Sequence, residues 1–231
     1  MLQPNASRKT LSELAYEHLR EAIIHLRLEP GQMVYEAEIS EGLGMSRTPI
    51  REAFRMLLTE ELIEVLPQRG GRISLISEQK VEEARFVRHS LESSAMRKAA
   101  GSWNPDDSRH AELLRQIRVT IAEQKQATRD GDMIAFLQAD ERFHRLLLSL
   151  SGNATLISVV SSMRGHLNRL RLLSLSELND GERLIAEHES LIRAVTSRDE
   201  QAAEEALEHH LGKLNEELPV IKAKYGHYFR P

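Results

Sequence analysis

Ser46-Arg47-Thr48-Pro49-Ile50-Arg51-Glu52-Ala53-Phe54-Arg55-Met56-Leu57 is the stretch that decides how this chain reads. Ser46 and Thr48 are both good N-caps, and Pro49 is tolerated in a first helical turn, so a helix begins here and runs to about Leu62. Ile50, Ala53, Phe54 and Leu57 recur at helical spacing and form a face to be buried. Arg47, Arg51 and Arg55 stand four apart on a face roughly 100° around the helix. A helix that packs on one side and presents an arginine row on the other suits the major groove of DNA. There a guanidinium pairs two-pronged with guanine O6 and N7. An isolated arginine row is more often a solvated surface, so its surroundings must decide.

The flanking residues supply that context. Upstream, Thr10-Leu11-Ser12-Glu13 reads as a capping box. It opens a helix whose apolar stripe is Leu11, Leu14, Ala15, Leu19, Ala22, Ile23 and Leu26. Pro30-Gly31 breaks the chain, and a short helix follows from about Ala37 to Leu43, closed by Gly44. Downstream, Ile63-Glu64-Val65-Leu66 and Arg72-Ile73-Ser74-Leu75-Ile76 are β-prone runs around Pro67-Gln68-Arg69-Gly70-Gly71, a hairpin signal. Helix, short helix, tight turn, helix, hairpin is the order of a winged helix-turn-helix, expected over residues 1–77. Arg69 and Arg72 flank the glycine-rich turn, within reach of phosphate or minor groove. Up to Lys80 there are ten basic and twelve acidic residues, a net of −2, so the positive charge is local rather than spread over the domain.

The whole chain has 231 residues, 41% apolar and 29% charged, with a net charge of −4. Its mean hydropathy of −0.41 excludes an integral membrane protein, and no run nears the roughly 18 apolar residues of a membrane span. Only 4% of residues are aromatic, which argues against an all-β fold. Met1-Leu2-Gln3-Pro4-Asn5 lacks the charged and apolar regions of a secretory leader. With no cysteine there can be no disulfide, thiolate nucleophile or zinc finger. A cytoplasmic protein is expected, and any metal must be held by His, Asp or Glu.

Residues 78–231 show nearly continuous helical periodicity. Six segments are expected, at 77–100, 106–129, 132–149, 154–175, 181–197 and 199–224. Short breaks between long amphipathic helices predict an antiparallel all-α bundle, so the fold class is mainly α. Polar residues interrupt the apolar stripes at particular places. Asp140 and His144 lie one turn apart among Met133, Phe136, Leu137, Phe143 and Leu147. His188 centres the stripe Leu184, Ile185, Leu191, Ile192, Val195, and His210 sits with Ala203, Ala206, Leu207, Leu211 and Leu214. His209 is placed toward water, and Arg88 on the apolar face of Val81, Ala84, Leu91 and Ala95. A single inward histidine is usually a hydrogen-bonded core residue. A buried unpaired carboxylate, however, costs several kcal/mol. One Asp and three His converging inside a bundle are therefore best explained by shared coordination of a divalent cation. Zinc suits these donors, and nickel, manganese or iron also fit. Arg88 would clamp the far end of a small organic acid effector. Arg164, Arg169 and Arg171 read first as solvated or interface charges, with the alternative that one of them lines the pocket; Trp103 reads as a loop anchor, and His89, His110, His166 and His227 find no partner.

Two sets of motifs also carry family resemblances. Glu29-Pro30-Gly31, Glu36 to Gly44, Ser46-Arg47-Thr48-Pro49-Ile50-Arg51-Glu52-Ala53 and Arg69-Gly70-Gly71 resemble the GntR family of bacterial transcription regulators over about 70 residues. The resemblance implies that Arg47 and Arg51 read bases with help from the wing tip. The DNA-facing set is then Arg47, Thr48, Arg51 and Arg55, with Arg69 and Gly70. Ala37 replaces a base-contacting arginine of the fatty-acid-responsive branch, and Glu61 stands where a glycine is usual. Arg88-His89-Ser90-Leu91-Glu92, Asp140-Glu141-Arg142-Phe143-His144, Glu187-His188-Glu189 and His209-His210-Leu211 resemble the helical FCD effector domain, over roughly residues 80–220. Six helices are nearer its VanR-like subgroup than its FadR-like one. In metal-containing members these motifs supply the ligands, which map to Asp140, His144, His188 and His210.

The resulting expectation is a homodimeric, ligand-responsive repressor on a palindromic double-stranded operator, not an enzyme. The alternatives weighed are a metal-dependent hydrolase, a ferritin-like protein, and a protein-binding module without DNA. Glu141-Arg142-Phe143-His144 supplies one Glu-x-x-His. Ile185 and Leu207 stand where His188 and His210 would need the second glutamate, so a di-iron site is incomplete.

Overall fold

The computed structural model describes residues 9–66 and 70–231; Arg69 and the stretch read for a leader lie outside the described residues. The chain divides into two compact units, Met1–Ile76 with Arg230–Pro231, and Ser77–Phe229.

The first unit is built from α1 (Leu11–Ile24), β1 (Met33–Val34), α2 (Glu36–Gly42), α3 (Arg47–Thr59), β2 (Ile63–Leu66) and β3 (Gly70–Ile73). The capping box forms: the Thr10 hydroxyl accepts from Glu13 N at 3.2 Å, and Glu13 Oε2 accepts from Thr10 N at 2.7 Å. Ala15, Leu19 and Ile23 of α1 meet Ile50, Ala53, Phe54 and Leu57 of α3 in one core, closed by Val34, Ile63 and Ile73 of the sheet. Leu11 and Leu14 depart from the expected stripe and are 59% and 42% exposed, because the buried face of α1 starts only at Ala15. The sheet is antiparallel in the order β1-β3-β2, with Ile63 opposite Ile73 and Leu66 opposite Gly70. At Gly70 φ is +87°, and a Cβ there would lie 2.9 Å from the Tyr35 ring and 3.0 Å from Val34 O, so only glycine fits. Glu61, where the family resemblance leads one to expect glycine, is left-handed at φ +55°.

The second unit holds seven helices among the described residues: α4 (Glu78–Ser102), α5 (Ser108–Asp130), α6 (Met133–Ser149), α7 (Ala154–Ser162), α8 (Arg164–Leu178), α9 (Gly181–Thr196) and α10 (Glu200–Tyr225). Ser77, Asp107, Asp132, Asn153 and Asp199 cap five of them through side-chain oxygens, as local sequence dictates. The expected fourth segment is two helices rather than one, so the six-helix count and the subgroup preference built on it do not hold. The break falls at Met163, whose N–H bonds to Val160 O at 3.3 Å in an i→i−3 turn just after Ser161-Ser162. Helix α8 packs against α4, α6, α7 and α10. It is buried nearly all round, including Arg164, His166, Asn168 and Arg169.

Candidate functional site

Helix α3 divides as its spacing requires. Ile50, Ala53, Phe54 and Leu57 are buried, while Arg47, Thr48, Arg51 and Arg55 are exposed together. Two of these arginines have neighbours that spacing did not reveal. Arg51 Nε donates to Glu36 Oε2 at 2.8 Å, from the start of α2, and Arg55 Nη1 donates to Glu52 Oε1 at 2.8 Å. Gly70 is exposed at the head of β3. Arg72 is drawn across the hairpin to Glu64, 2.7 Å away, instead of projecting from the turn.

In the helical unit, α6, α9 and α10 bring Asp140, His144, His188 and His210 into one buried cluster whose ligating atoms all lie within 4.8 Å of one another. His188 Nε2 is 3.3 Å and His144 Nε2 3.8 Å from Asp140 Oδ1, and His144 Nε2 is 3.1 Å from His210 Nε2. Donors sharing one cation at about 2.1 Å are separated by about 3.0–3.5 Å, a range the 3.1 and 3.3 Å pairs meet and the 3.8 Å pair exceeds. Two of the three far ring nitrogens are occupied elsewhere, while His144 Nδ1 is buried without a hydrogen bond, 3.7 Å from Glu92 Oε2. His210 Nδ1 bonds to Glu187 Oε2 at 2.8 Å, and His188 Nδ1 bonds to Gln124 Oε1 at 2.8 Å. A carboxylate can only accept, so Nδ1 of His210 carries the proton and its Nε2 lone pair faces the cluster. Asp140 Oδ1 and His188 Nε2 are buried with no hydrogen bond. Inward-facing polar atoms that the protein itself leaves unsatisfied are ones a cation could satisfy.

The protonation states match. Burial first, then the neighbouring Arg164 and His210, holds the His144 imidazole well below its usual range; burial and Arg171 do the same to His210. His188 is pushed down to about 3 by burial and His210. Burial acts to raise the Asp140 carboxyl, yet Arg171, His188 and His210 outweigh it, and the group lies below its ordinary value. Neutral imidazoles with an ionised carboxylate form the ligand set that a divalent cation needs.

Beside the cluster is a narrow pocket with about 20 Å³ of free space, lined by Arg88, Asn168, Arg164 and Arg171 together with Asp140, His144 and His210. Arg88 is present as expected, but its Nε donates to the fully buried Glu92 at 2.6 Å. Arg164, Arg169 and Arg171 are not solvated: they are buried or nearly so. An all-round buried helix gives apolar spacing no polar face to mark, so these arginines could not be placed from spacing. Gln124 was legible in principle, as a polar residue on the inner face of α5 beside Ile121 and Ala127. His209 is 64% exposed, as its register predicts. His110 is not partnerless: it stacks on Trp103 with centroids 5.3 Å apart and accepts from Asn104 N at 3.1 Å.

A winged helix-turn-helix joined to an all-helical unit with a polar pocket is the architecture of a transcription regulator. The comparisons make this specific. Residues 11–73 match the gntR family of bacterial regulatory proteins, and residues 83–213 match the FCD domain. An HTH-type transcriptional regulator in the unstable DNA locus of Streptomyces ambofaciens is 30% identical over 208 residues, covering 90% of this chain and 85% of that protein. The HTH-type transcriptional repressor RspR of Escherichia coli K12 is 29% identical over 220 residues, covering 95% and 93%. The structure of E. coli McbR/YncC superposes with a TM-score of 0.79 at 19% identity, over 94% of this chain and all of that one, and shows the shared fold. The chain belongs to the GntR family and carries an FCD domain; it is a transcriptional regulator and not an enzyme. Its winged unit is a DNA-binding unit and its FCD domain a small-molecule effector domain. No described helix is long and apolar enough to cross a membrane.

Proposed function

We propose that this protein is a cytoplasmic homodimeric repressor. It binds a palindromic double-stranded operator and leaves it when a small organic acid enters a metal-containing pocket. The observation that carries the reading is the buried Asp140, His144, His188, His210 cluster with its unsatisfied inward atoms, set beside an arginine-lined pocket. Those four residues hold the cation, zinc in the first place and nickel, manganese or iron by the same donors. When bound, it supplies a fixed positive charge and open coordination positions. Arg88 orients the acid from the opposite wall, while Glu187 and Gln124 keep two imidazoles in register.

Arg47, Thr48, Arg51 and Arg55 enter the major groove, with Arg69 and Gly70 contributing from the wing. Two-fold protein symmetry is matched by two half-sites. That RspR is a repressor supports the same sign of regulation here. Acid binding favours one of two arrangements of the bundle, a coupling typically worth about 1–3 kcal/mol of operator affinity.

Fluorescence anisotropy with the promoter beside the gene tests the DNA arm. Arg47→Ala or Arg51→Ala should each cost about 1–3 kcal/mol, and binding should weaken steeply with salt. Undiminished affinity in both variants would remove α3 from the groove. Elemental mass spectrometry of untagged protein tests the other arm: about one equivalent of metal per chain, lost in His188→Ala, is expected.

A further inference from the structure

His188 and His210 each have a partner on the ring nitrogen turned away from the cluster, and His144 has none. Facing its Nδ1, 3.7 Å away, is Oε2 of Glu92 on α4, a second buried atom without a hydrogen bond. Both side chains are fully buried. Glu92 is fixed through its other oxygen, since Oε1 accepts from Arg88 Nε at 2.6 Å. A buried carboxylate oxygen left bare toward an imidazole nitrogen costs free energy unless that nitrogen carries a proton.

The proton of a neutral His144 has two places to sit. His210 keeps its own proton on Nδ1, facing Glu187, so its Nε2 presents a lone pair to His144 Nε2 at 3.1 Å. Two lone pairs at that distance repel, whereas a proton on His144 Nε2 makes the contact a hydrogen bond. That tautomer turns the Nδ1 lone pair toward the Glu92 carboxylate. Two facing acceptors cannot bond, which accounts for the 3.7 Å gap and for both atoms being unsatisfied. The other tautomer, with the proton on Nδ1, suits Glu92 and leaves Nε2 bare toward Asp140 and His210, the form in which an imidazole ligates a metal. Burial keeps the ring neutral, so the two forms differ in where one proton sits and not in charge.

We infer that Glu92 is the positioning carboxylate of His144, and that the His144 ring is a two-position tautomer switch. In the metal-free cluster its proton is on Nε2 and bridges to His210. With a divalent cation bound, the ring carries its one proton on Nδ1 and donates it to Glu92, joining α6 to α4. The inference rests on the metal reading above. It gives each of the three imidazoles one partner, from α4, α5 and α9 in turn.

Heteronuclear NMR of histidine-labelled full-length protein reads the tautomer directly, with His144 assigned by the signals lost in His144→Gln. Zinc-free wild type should show His144 protonated on Nε2, and zinc-loaded wild type on Nδ1. In zinc-loaded Glu92→Gln the His144 Nδ1 proton should move upfield, because a neutral amide oxygen is the weaker acceptor; a loss of packing alone would not move it so. Competition against a chromogenic chelator should show Glu92→Gln binding zinc about 10-fold or more weakly than wild type, with Glu189→Gln unchanged. The same His144 tautomer with and without zinc overturns the inference and leaves the metal reading standing. So does a Glu92→Gln variant with wild-type zinc affinity. Where Glu92→Gln does not fold, the two wild-type spectra decide. Wild type that takes up no zinc overturns the metal reading and the inference with it.

Discussion

Replacing Glu187 with glutamine is the most informative single change in the helical unit. The Glu187 carboxylate receives His210 Nδ1–H at 2.8 Å and Arg183 Nη1 at 3.2 Å, and its side chain is 9% exposed. Glutamine preserves size and one acceptor oxygen but removes the charge that raises the basicity of the imidazole and fixes its tautomer. Partners of this kind contribute 10- to 100-fold to metal affinity, about 1.4–2.7 kcal/mol. Gln124→Leu acts on His188 without changing charge. It leaves a buried Nδ1–H unpaired and should weaken metal binding similarly, while costing about 1–3 kcal/mol of stability. Glu189→Gln, whose 2.7 Å contact with Lys125 is exposed, serves as the neutral control. The assay is competition for zinc against a chromogenic chelator at fixed pH, beside denaturant unfolding of the metal-free proteins. Zinc affinity of Glu187→Gln within about threefold of wild type, well short of the loss such partners carry, would refute the reasoning. Ring orientation would then come from packing, for instance the stack of His210 on His144 at 5.1 Å.

The depressed imidazoles predict an unusual pH response. Three histidines at the ordinary value near 6.5 would each lose about 8-fold in deprotonated fraction between pH 7 and 5.5, on the order of 500-fold together. His144, His188 and His210 are held below that value, so zinc affinity measured over this interval should stay nearly flat. The same shifts make the metal-free fold less stable below pH 6.5. There the unfolded chain takes up protons that the native cluster refuses, with a slope of up to about 1.4 kcal/mol per pH unit for each histidine; chemical denaturation at pH 7 and 5.5 would show it. Glu61→Gly should stabilise the winged unit. Glu61 occupies the C′ position of a Schellman motif, with Leu62 N on Leu57 O at 2.9 Å and Glu61 N on Leu58 O at 3.0 Å, in a left-handed conformation. Relief of about 1–2 kcal/mol is offset by about 0.5–1 kcal/mol of added chain entropy, for a net gain of about 0.5–1 kcal/mol in urea unfolding.

The parts of this molecule that were legible in sequence are those written in a local period. The buried and exposed faces of α3, the Thr10 cap, and the inward Asp140, His144, His188 and His210 each follow from which side of one helix is apolar. The choice of His210 over His209 follows from register alone. Where a helix has no wet side, the method fails. Helix α8 is covered by four neighbours, so its leucines fall on every face, and Arg164 and Arg171 look like surface charges although they line the pocket. The break at Met163 was hidden for a related reason: apolar periodicity runs through it, and only the backbone bond to Val160 reveals the turn. Long-range pairs such as Arg51 with Glu36 or Gln124 with His188 are set by which helices meet, which no window of sequence contains. The consequence for function is specific. The four residues proposed to hold a metal sit on stripes and can be read one helix at a time. Arg164 and Arg171, which line the pocket, come from a helix with no polar face, where no period marks them.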